Sequence, residues 1–122
     1  NQWHDETPIY RQLVEKLHDA ILAGVYPEET ALPSVRAISS ELKINHITVS
    51  KSYHELVDAG LVEKKRGLGM FVKQGAIKQL MEVKQTSFMQ EELPSLLEKM
   101  KQLKIDHKAV IALIEQHHQG EK

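Results

Sequence analysis

The chain has 122 residues, a formal net charge of −1 and 41% hydrophobic residues, enough for one small domain with an appendage but too short for a sizeable separate ligand-binding domain. It has no cysteine, which excludes disulfides and thiolate metal sites. No apolar run is long enough to cross a membrane, and the start NQWHDETP lacks the basic and apolar regions of a secretory signal, so no membrane contact and a cytoplasmic location are expected.

Thr7 suits an N-cap and Pro8 a first helical position. Apolar residues at Ile9, Leu13, Leu17, Ala20 and Ile21 then follow a helical stripe, and Gly24 ends it. Tyr26 to Ala31 reads as a loop. LPSVR, Leu32 to Arg36, opens a second helix, with Pro33 and Ser34 at its start and Val35, Ile38 and Leu42 inward. Lys43 and Ile44 make a tight turn. Asn45 caps a third helix, whose inward residues are Ile47 or Val49, then Tyr53, Leu56 and Val57; Gly60 ends it. Leu61–Lys65 and Met70–Lys73 alternate as strands joined through Gly67 and Gly69. Leu13, Leu17, Ile38, Leu42, Tyr53, Leu56 and Phe71 supply the core. Two short helices followed by a glycine-tipped basic hairpin make a winged helix-turn-helix.

After Gly75 the pattern changes. Ala76 to Gln90 permits a helix, and Pro94 demands a first turn or a kink. Leu93, Leu96, Leu97, Met100 and Leu103 form one helical stripe. Asp106 caps a last helix carrying Val110, Ile111, Leu113 and Ile114. These nine residues are too many to bury within one hairpin, so a second copy of the chain is expected to cover them. The expected fold is therefore mainly α with a small β-hairpin. A winged helix-turn-helix DNA-binding domain occupies 1–75, and a helical dimerisation region, a two-helix hairpin, occupies 76–122.

The charge is unevenly placed. Residues 1–32 carry two cations against six acids, net −4; residues 33–73 carry seven against four, net +3; the remainder balances at seven each. The positive charge thus coincides with the motif, as a local DNA footprint requires. His46, Thr48 and Ser50 can hydrogen-bond base edges or phosphate, and Ile47 can meet a thymine methyl. Lys51 can neutralise a phosphate or reach a guanine. Arg36, near a helix start, is a fork for phosphate or guanine, or else a surface partner for Glu41. Lys64, Lys65 and Arg66 form a basic run that is either a DNA contact or a solvated face. Gly67 and Gly69 allow close backbone approach, although plain turn chemistry asks for the same residues.

PIY at Pro8–Tyr10, LPSVR at Leu32–Arg36, TVSKSY at Thr48–Tyr53 and RGLGMFV at Arg66–Val72 together resemble the GntR family of bacterial transcriptional regulators. The short C-terminal part resembles the YtrA-type subfamily, whose members dimerise through it. The resemblance implies that Arg36 contacts operator DNA. It places Asn45, His46, Ile47, Thr48, Ser50 and Lys51 at the start of the recognition helix, and Arg66, Gly67 and Gly69 at the wing tip. With Ser34 and Lys65 these make the candidate DNA-binding set. Five residues, at three places in the chain, depart from the family pattern. Glu28, Glu29 and Thr30 stand where Pro-Gly-Asp is usual, Lys43 where the turn glycine is usual, and His46 where a proline commonly follows the capping Asn.

The expected function is a sequence-specific transcriptional regulator, a repressor, acting as a homodimer on an inverted-repeat, double-stranded operator. The alternative is a winged-helix protein-interaction module that never touches DNA, but it predicts apolar or acidic residues where Arg36, Lys51 and Arg66 stand. Any small-molecule effector is expected near the junction of the wing and the C-terminal helices. Seven histidines, His4, His18, His46, His54, His107, His117 and His118, show no metal-ligand pairing, so neither metal nor cofactor is expected. No nucleophile elbow, phosphate loop or dinucleotide fingerprint is present, which argues against an enzyme.

Overall fold

The computed structural model describes residues 3–120; the outermost ends of the two expected domains, residues 1, 2, 121 and 122, lie outside the described residues. The order is α1 (Ile9–Leu22), α2 (Val35–Leu42), α3 (His46–Asp58), β1 (Val62–Lys65), β2 (Gly69–Val72), α4 (Ala76–Ser87), a π-helical turn at Phe88–Glu92, α5 (Leu93–Gln102) and α6 (His107–Gln119). The chain divides into two units between Val83 and Lys84.

The first unit is the winged helix. Leu13, Val14, Leu17 and Ile21 of α1 are buried against Ile38 of α2 and Val49, Tyr53 and Leu56 of α3. Each such aliphatic side chain contributes about 1.5–3 kcal/mol on full burial. α1 starts one residue later than expected. Pro8, at φ −55° and ψ 145°, is itself the capping residue, and its carbonyl accepts from the N–H groups of Arg11 and Gln12. Thr7 instead offers its carbonyl to Gln12 Nε2 at 2.7 Å. Ile9 stays 39% exposed, because the inward stripe begins at Leu13. α2 likewise begins later than Leu32, at Val35, with Ser34 Oγ accepting from Ala37 N at 3.0 Å. Between Ile47 and Val49, it is Val49 that is buried.

The segment expected as a loop partly joins the wing. Ala31 bridges Phe71 in antiparallel fashion, and Leu32 N donates to Met70 O at 2.8 Å. Leu32 is therefore a buried, sheet-paired residue rather than the start of a helix. β1 and β2 pair antiparallel with Val62 opposite Val72 and Lys65 opposite Gly69. Both strands are offset from the expected ranges, starting at Val62 rather than Leu61 and ending at Val72 rather than Lys73. Side chains alternate across a strand, so burying Val72 turns Phe71 outward. Phe71 is half-buried rather than a core residue.

The unit also extends past the expected boundary at 75. Ala76 and Leu80 of α4 are buried in the same core as Tyr53 and Leu56. α4 is tied down at its start by Glu28, whose carboxylate accepts from Gly75 N and Ile77 N, both at 3.0 Å. These two bonds hold the Glu28 carboxyl below the usual carboxylate range.

In the second unit, the π turn immediately precedes α5, which has Pro94 in its first turn. A proline here removes one hydrogen bond and crowds the preceding turn; a widened turn accommodates both. Asp106 Oδ1 caps α6 by accepting from Lys108 N at 3.0 Å. The two helices form the C-terminal helical hairpin, with Lys104 at φ 55° in the turn between them. No side chain of α5 or α6 is buried.

Candidate nucleic-acid interface

The TVSKSY block splits by helical phase. Val49, Ser52, Tyr53 and Leu56 face the core, while His46, Ile47 and Ser50 are exposed on the other side of α3. Ile47 is 68% exposed while Val49, two positions on, is fully buried, which fixes the phase of the helix. Three hydroxyls help to fix it. Ser52 Oγ donates to Tyr10 O at 2.7 Å and fastens α3 to α1. Tyr53 Oη donates to Pro33 O at 2.7 Å and fastens α3 to the entry of α2. Ser39 Oγ donates to Ile44 O and closes the turn between the two helices. Burial pushes the Tyr53 phenol well above its usual range, so the hydroxyl remains a donor.

The start of α3 is capped as its sequence requires. Asn45 Oδ1 accepts from Ile47 N at 2.7 Å. Arg36 is exposed on the first turn of α2, and with Val35, Ser39 and His46 it lines one shallow hollow. The structure thus brings Arg36 and His46 together from separate motif blocks. Arg36 makes no ion pair among the described residues. Glu41 lies five positions further along α2, off the i+3 and i+4 rows where helical partners meet.

Other expected residues are placed less simply. Thr48 is half-buried. Lys51 is exposed, but its Nζ lies 3.9 Å from the ring centroid of Tyr10, drawn toward α1 as a cation–π pair. Lys65 Nζ sits 4.6 Å from the Phe71 ring centroid. Arg66 is exposed at the wing tip, where Gly67 and Gly69 have φ of +77° and +117°. A Cβ at either glycine would meet nothing within 4 Å, so backbone conformation, not crowding, is what calls for glycine there.

Two exposed residues on these elements were not among the expected DNA-binding residues. His54 continues the outward face of α3, four positions after Ser50; helical spacing could have found it. Leu68 lies between the two wing glycines and is 71% exposed; no periodicity marks a residue in a turn.

Two of the departures from the family pattern keep the left-handed backbone that glycine favours. Lys43, in the place of the turn glycine, has φ 55°. Glu29, in the Pro-Gly-Asp position, has φ 66°. Thr30 closes that turn, its Oγ1 donating to Pro27 O at 2.7 Å.

In the second unit, Leu96, Leu97, Leu103, Ile111, Leu113 and Ile114 are exposed, and Leu93, Met100 and Val110 are half-buried. Phe88, Met89 and Ile105, which the helical stripes did not include, are exposed as well. No helix among the described residues is long and apolar enough to cross a membrane.

Comparison with known proteins agrees with this geometry. Residues 9–72 match the family described as bacterial regulatory proteins, gntR family. The chain is 36% identical to the HTH-type transcriptional repressor YtrA of Bacillus subtilis over 112 residues, covering 91% of this chain and 80% of that protein. A crystal structure of a GntR-family protein from Bacteroides thetaiotaomicron is 31% identical with a TM-score of 0.76, covering 94% of this chain and 100% of that one. A GntR family transcriptional regulator from Listeria monocytogenes is 26% identical with a TM-score of 0.74, covering 93% and 98%.

Proposed function

Because the chain belongs to the GntR family of bacterial regulators, as a YtrA-type member, and one face of α3 is exposed, we propose that it represses transcription by binding an inverted-repeat operator as a homodimer. The observation that carries this reading is the arrangement of α2 and α3. His46, Ile47 and Ser50 are held outward by buried anchors on the opposite face, and Arg36 stands beside His46. In this reading the first turns of α3 enter the major groove. His46, Ser50 and half-buried Thr48 read or position base edges, and Ile47 meets a thymine methyl. Ser34 and Asn45 present capped helix starts, whose N–H groups suit phosphate. Lys51, held over Tyr10, serves a flanking phosphate rather than a base. Lys65, Arg66, Gly67 and Gly69 bring the wing to the adjacent backbone and minor groove.

Dimerisation is assigned to α5 and α6. Leu93, Leu96, Leu97, Met100, Leu103, Val110, Ile111, Leu113 and Ile114 leave an apolar surface that the hairpin does not bury by itself. A second hairpin related by a two-fold axis would supply a four-helix core. Similarity to a repressor over most of the chain supports the sign of regulation. Any effector would be small.

The test is an anisotropy titration of duplexes taken from the DNA upstream of the gene, at roughly 50 and 200 mM salt. Two protomers per inverted repeat and a steep loss of affinity with salt are expected. Saturation at one protomer per duplex would sink the dimeric reading. A footprint that protects only one half-site at saturation would sink the inverted repeat.

A further inference from the structure

The wing tip carries a side chain that the charge-based picture leaves without a role. Leu68 is 71% exposed, more than any other large hydrophobic residue among those described. It sits at the end of a tight turn, where Leu68 N donates to Lys65 O at 2.8 Å. Gly67 and Gly69 flank it with positive φ and open space around both. Lys64, Lys65 and Arg66 precede it, all exposed. Water-facing turns favour Gly, which tolerates positive φ, and Asn, Asp or Ser, whose side chains hydrogen-bond the turn's own backbone. A leucine there does nothing for the turn, and it is not among the hairpin residues that pack against the core, which reach only to Met70.

We propose that Leu68 is a specificity-determining residue that enters the minor groove of the operator and selects A·T pairs beneath the wing. This rests on the DNA-binding reading above and adds to it a base preference. The minor groove of B-DNA is about 6 Å wide, and its walls are deoxyribose faces that accept an apolar side chain. In this placement the exposed Arg66 beside it would meet a phosphate on the groove's rim, leaving Leu68 as the apolar group over the groove. On the groove floor, only a G·C pair carries a protruding amino group, the guanine N2. A branched alkyl group offers that amino group no acceptor and competes with it for space. An A·T pair leaves the floor clear. The glycines on either side remove the two Cβ atoms that would otherwise keep the backbone away from the rims. Discrimination would thus come from shape at a place where no hydrogen bond is read, whereas the α3 residues read the major groove.

The experiment separates the two grooves. Wild-type protein, Leu68→Ala and Arg66→Ala are titrated against three operator duplexes. One is unmodified. One carries diaminopurine for adenine in the wing-contacted pairs, which adds the minor-groove amino group and leaves the adenine groups of the major groove in place. One carries inosine·cytosine in those pairs, which presents a G·C major groove over an amino-free minor groove. Wild-type binding should weaken on the diaminopurine duplex and be retained on the inosine duplex. Leu68→Ala should weaken binding to the unmodified duplex about five-fold, the scale for half-burying a leucine side chain. It should also lose the discrimination against diaminopurine and keep the wild-type salt slope. Arg66→Ala should lower the salt slope by about one and keep the discrimination. An unchanged thermal midpoint for Leu68→Ala confirms an intact fold, as expected for a side chain outside the core. A Leu68→Ala variant that binds as tightly as wild type, or that still discriminates against diaminopurine, overturns the inference and leaves the proposed function standing. A wild-type protein that binds none of the duplexes overturns both.

Discussion

The Tyr53 hydroxyl donates a 2.7 Å hydrogen bond to the carbonyl of Pro33, joining the middle of α3 to the residue just ahead of the Ser34 cap of α2. Arg36 stands on the next turn of backbone, so this part-buried bond helps to set where the cation lies relative to the outward face of α3. Removing the hydroxyl leaves the Pro33 carbonyl without that donor. Tyr53→Phe should therefore lower stability by about 1–3 kcal/mol, read as a shift in the urea midpoint. It should also weaken operator binding in protein that is still fully folded. Normal operator affinity in a destabilised variant would confine Tyr53 to the core.

Arg36→Ala should weaken operator binding by about 1–3 kcal/mol, the range for a good base or charge-assisted contact. Lys65→Ala should cost less and lower the salt slope by roughly one unit, as for a single phosphate contact. Paired titrations at several salt concentrations check both. An Arg36 variant with wild-type affinity removes that residue from the interface.

Lys43 and Glu29 hold left-handed backbone with φ of 55° and 66°. Side chains other than glycine pay about 1–2 kcal/mol for that conformation. Lys43→Gly and Glu29→Gly should each raise the thermal midpoint, offset in part by the greater freedom of glycine in the unfolded chain. A net gain of up to about 1 kcal/mol is expected. A fall in the midpoint for Lys43→Gly would mean that the lysine side chain contributes more than its strain removes.

Glu28 makes stability depend on acidity. Its carboxyl is held below its ordinary value by Gly75 N and Ile77 N. A carboxylate with a lowered folded pKa contributes stability that is fully present above its unfolded pKa, near 4.3 for glutamate, and is lost as pH falls through the lower folded value. Glu28→Gln should therefore be less stable than wild type at neutral pH, with the gap closing in acid. Urea midpoints for both proteins at neutral pH and near pH 3 check this. A gap of constant size across that range would show that the charge is irrelevant to the cap.

Truncation should depend on where the cut falls. A protein ending at Val83 retains Ala76 and Leu80 and should fold as a monomeric winged helix. One ending at Gly75 loses Leu80 burial, worth about 1.5–3 kcal/mol, together with the Glu28 contact to Ile77. Both should bind operator far more weakly than the full chain, because each half-site loses its tethered twin. Light scattering and operator titration decide. A dimeric 1–83 protein would move the self-association surface out of α5 and α6.

Local chemistry made much of this protein legible in its residue order. Ser34, Asn45 and Asp106 are caps because their short oxygens reach the N–H groups of the turn that follows, a bond that depends only on neighbours in sequence. The four spaced blocks, PIY through RGLGMFV, led to the family and its winged fold for a similar reason: turn residues and helical spacing are written at short range. What needed tertiary structure was whatever depends on partners far along the chain. Ile47 and Val49 are alike in hydrophobicity, and only the anchoring of α3 by Ser52 and Tyr53 decides that Val49 is buried. Leu32 and Ala31 join the wing because β2 lies beside them, and Phe71 faces outward because Val72 is drawn in. The domain boundary lay at Gly75 by composition, whereas Leu80 and the Glu28 carboxylate carry it to Val83. Lys51, a free cation in sequence, is held over Tyr10 by a contact spanning two helices. Burial, pairing and charge placement are set by distance in space, and a linear pattern records only distance along the chain.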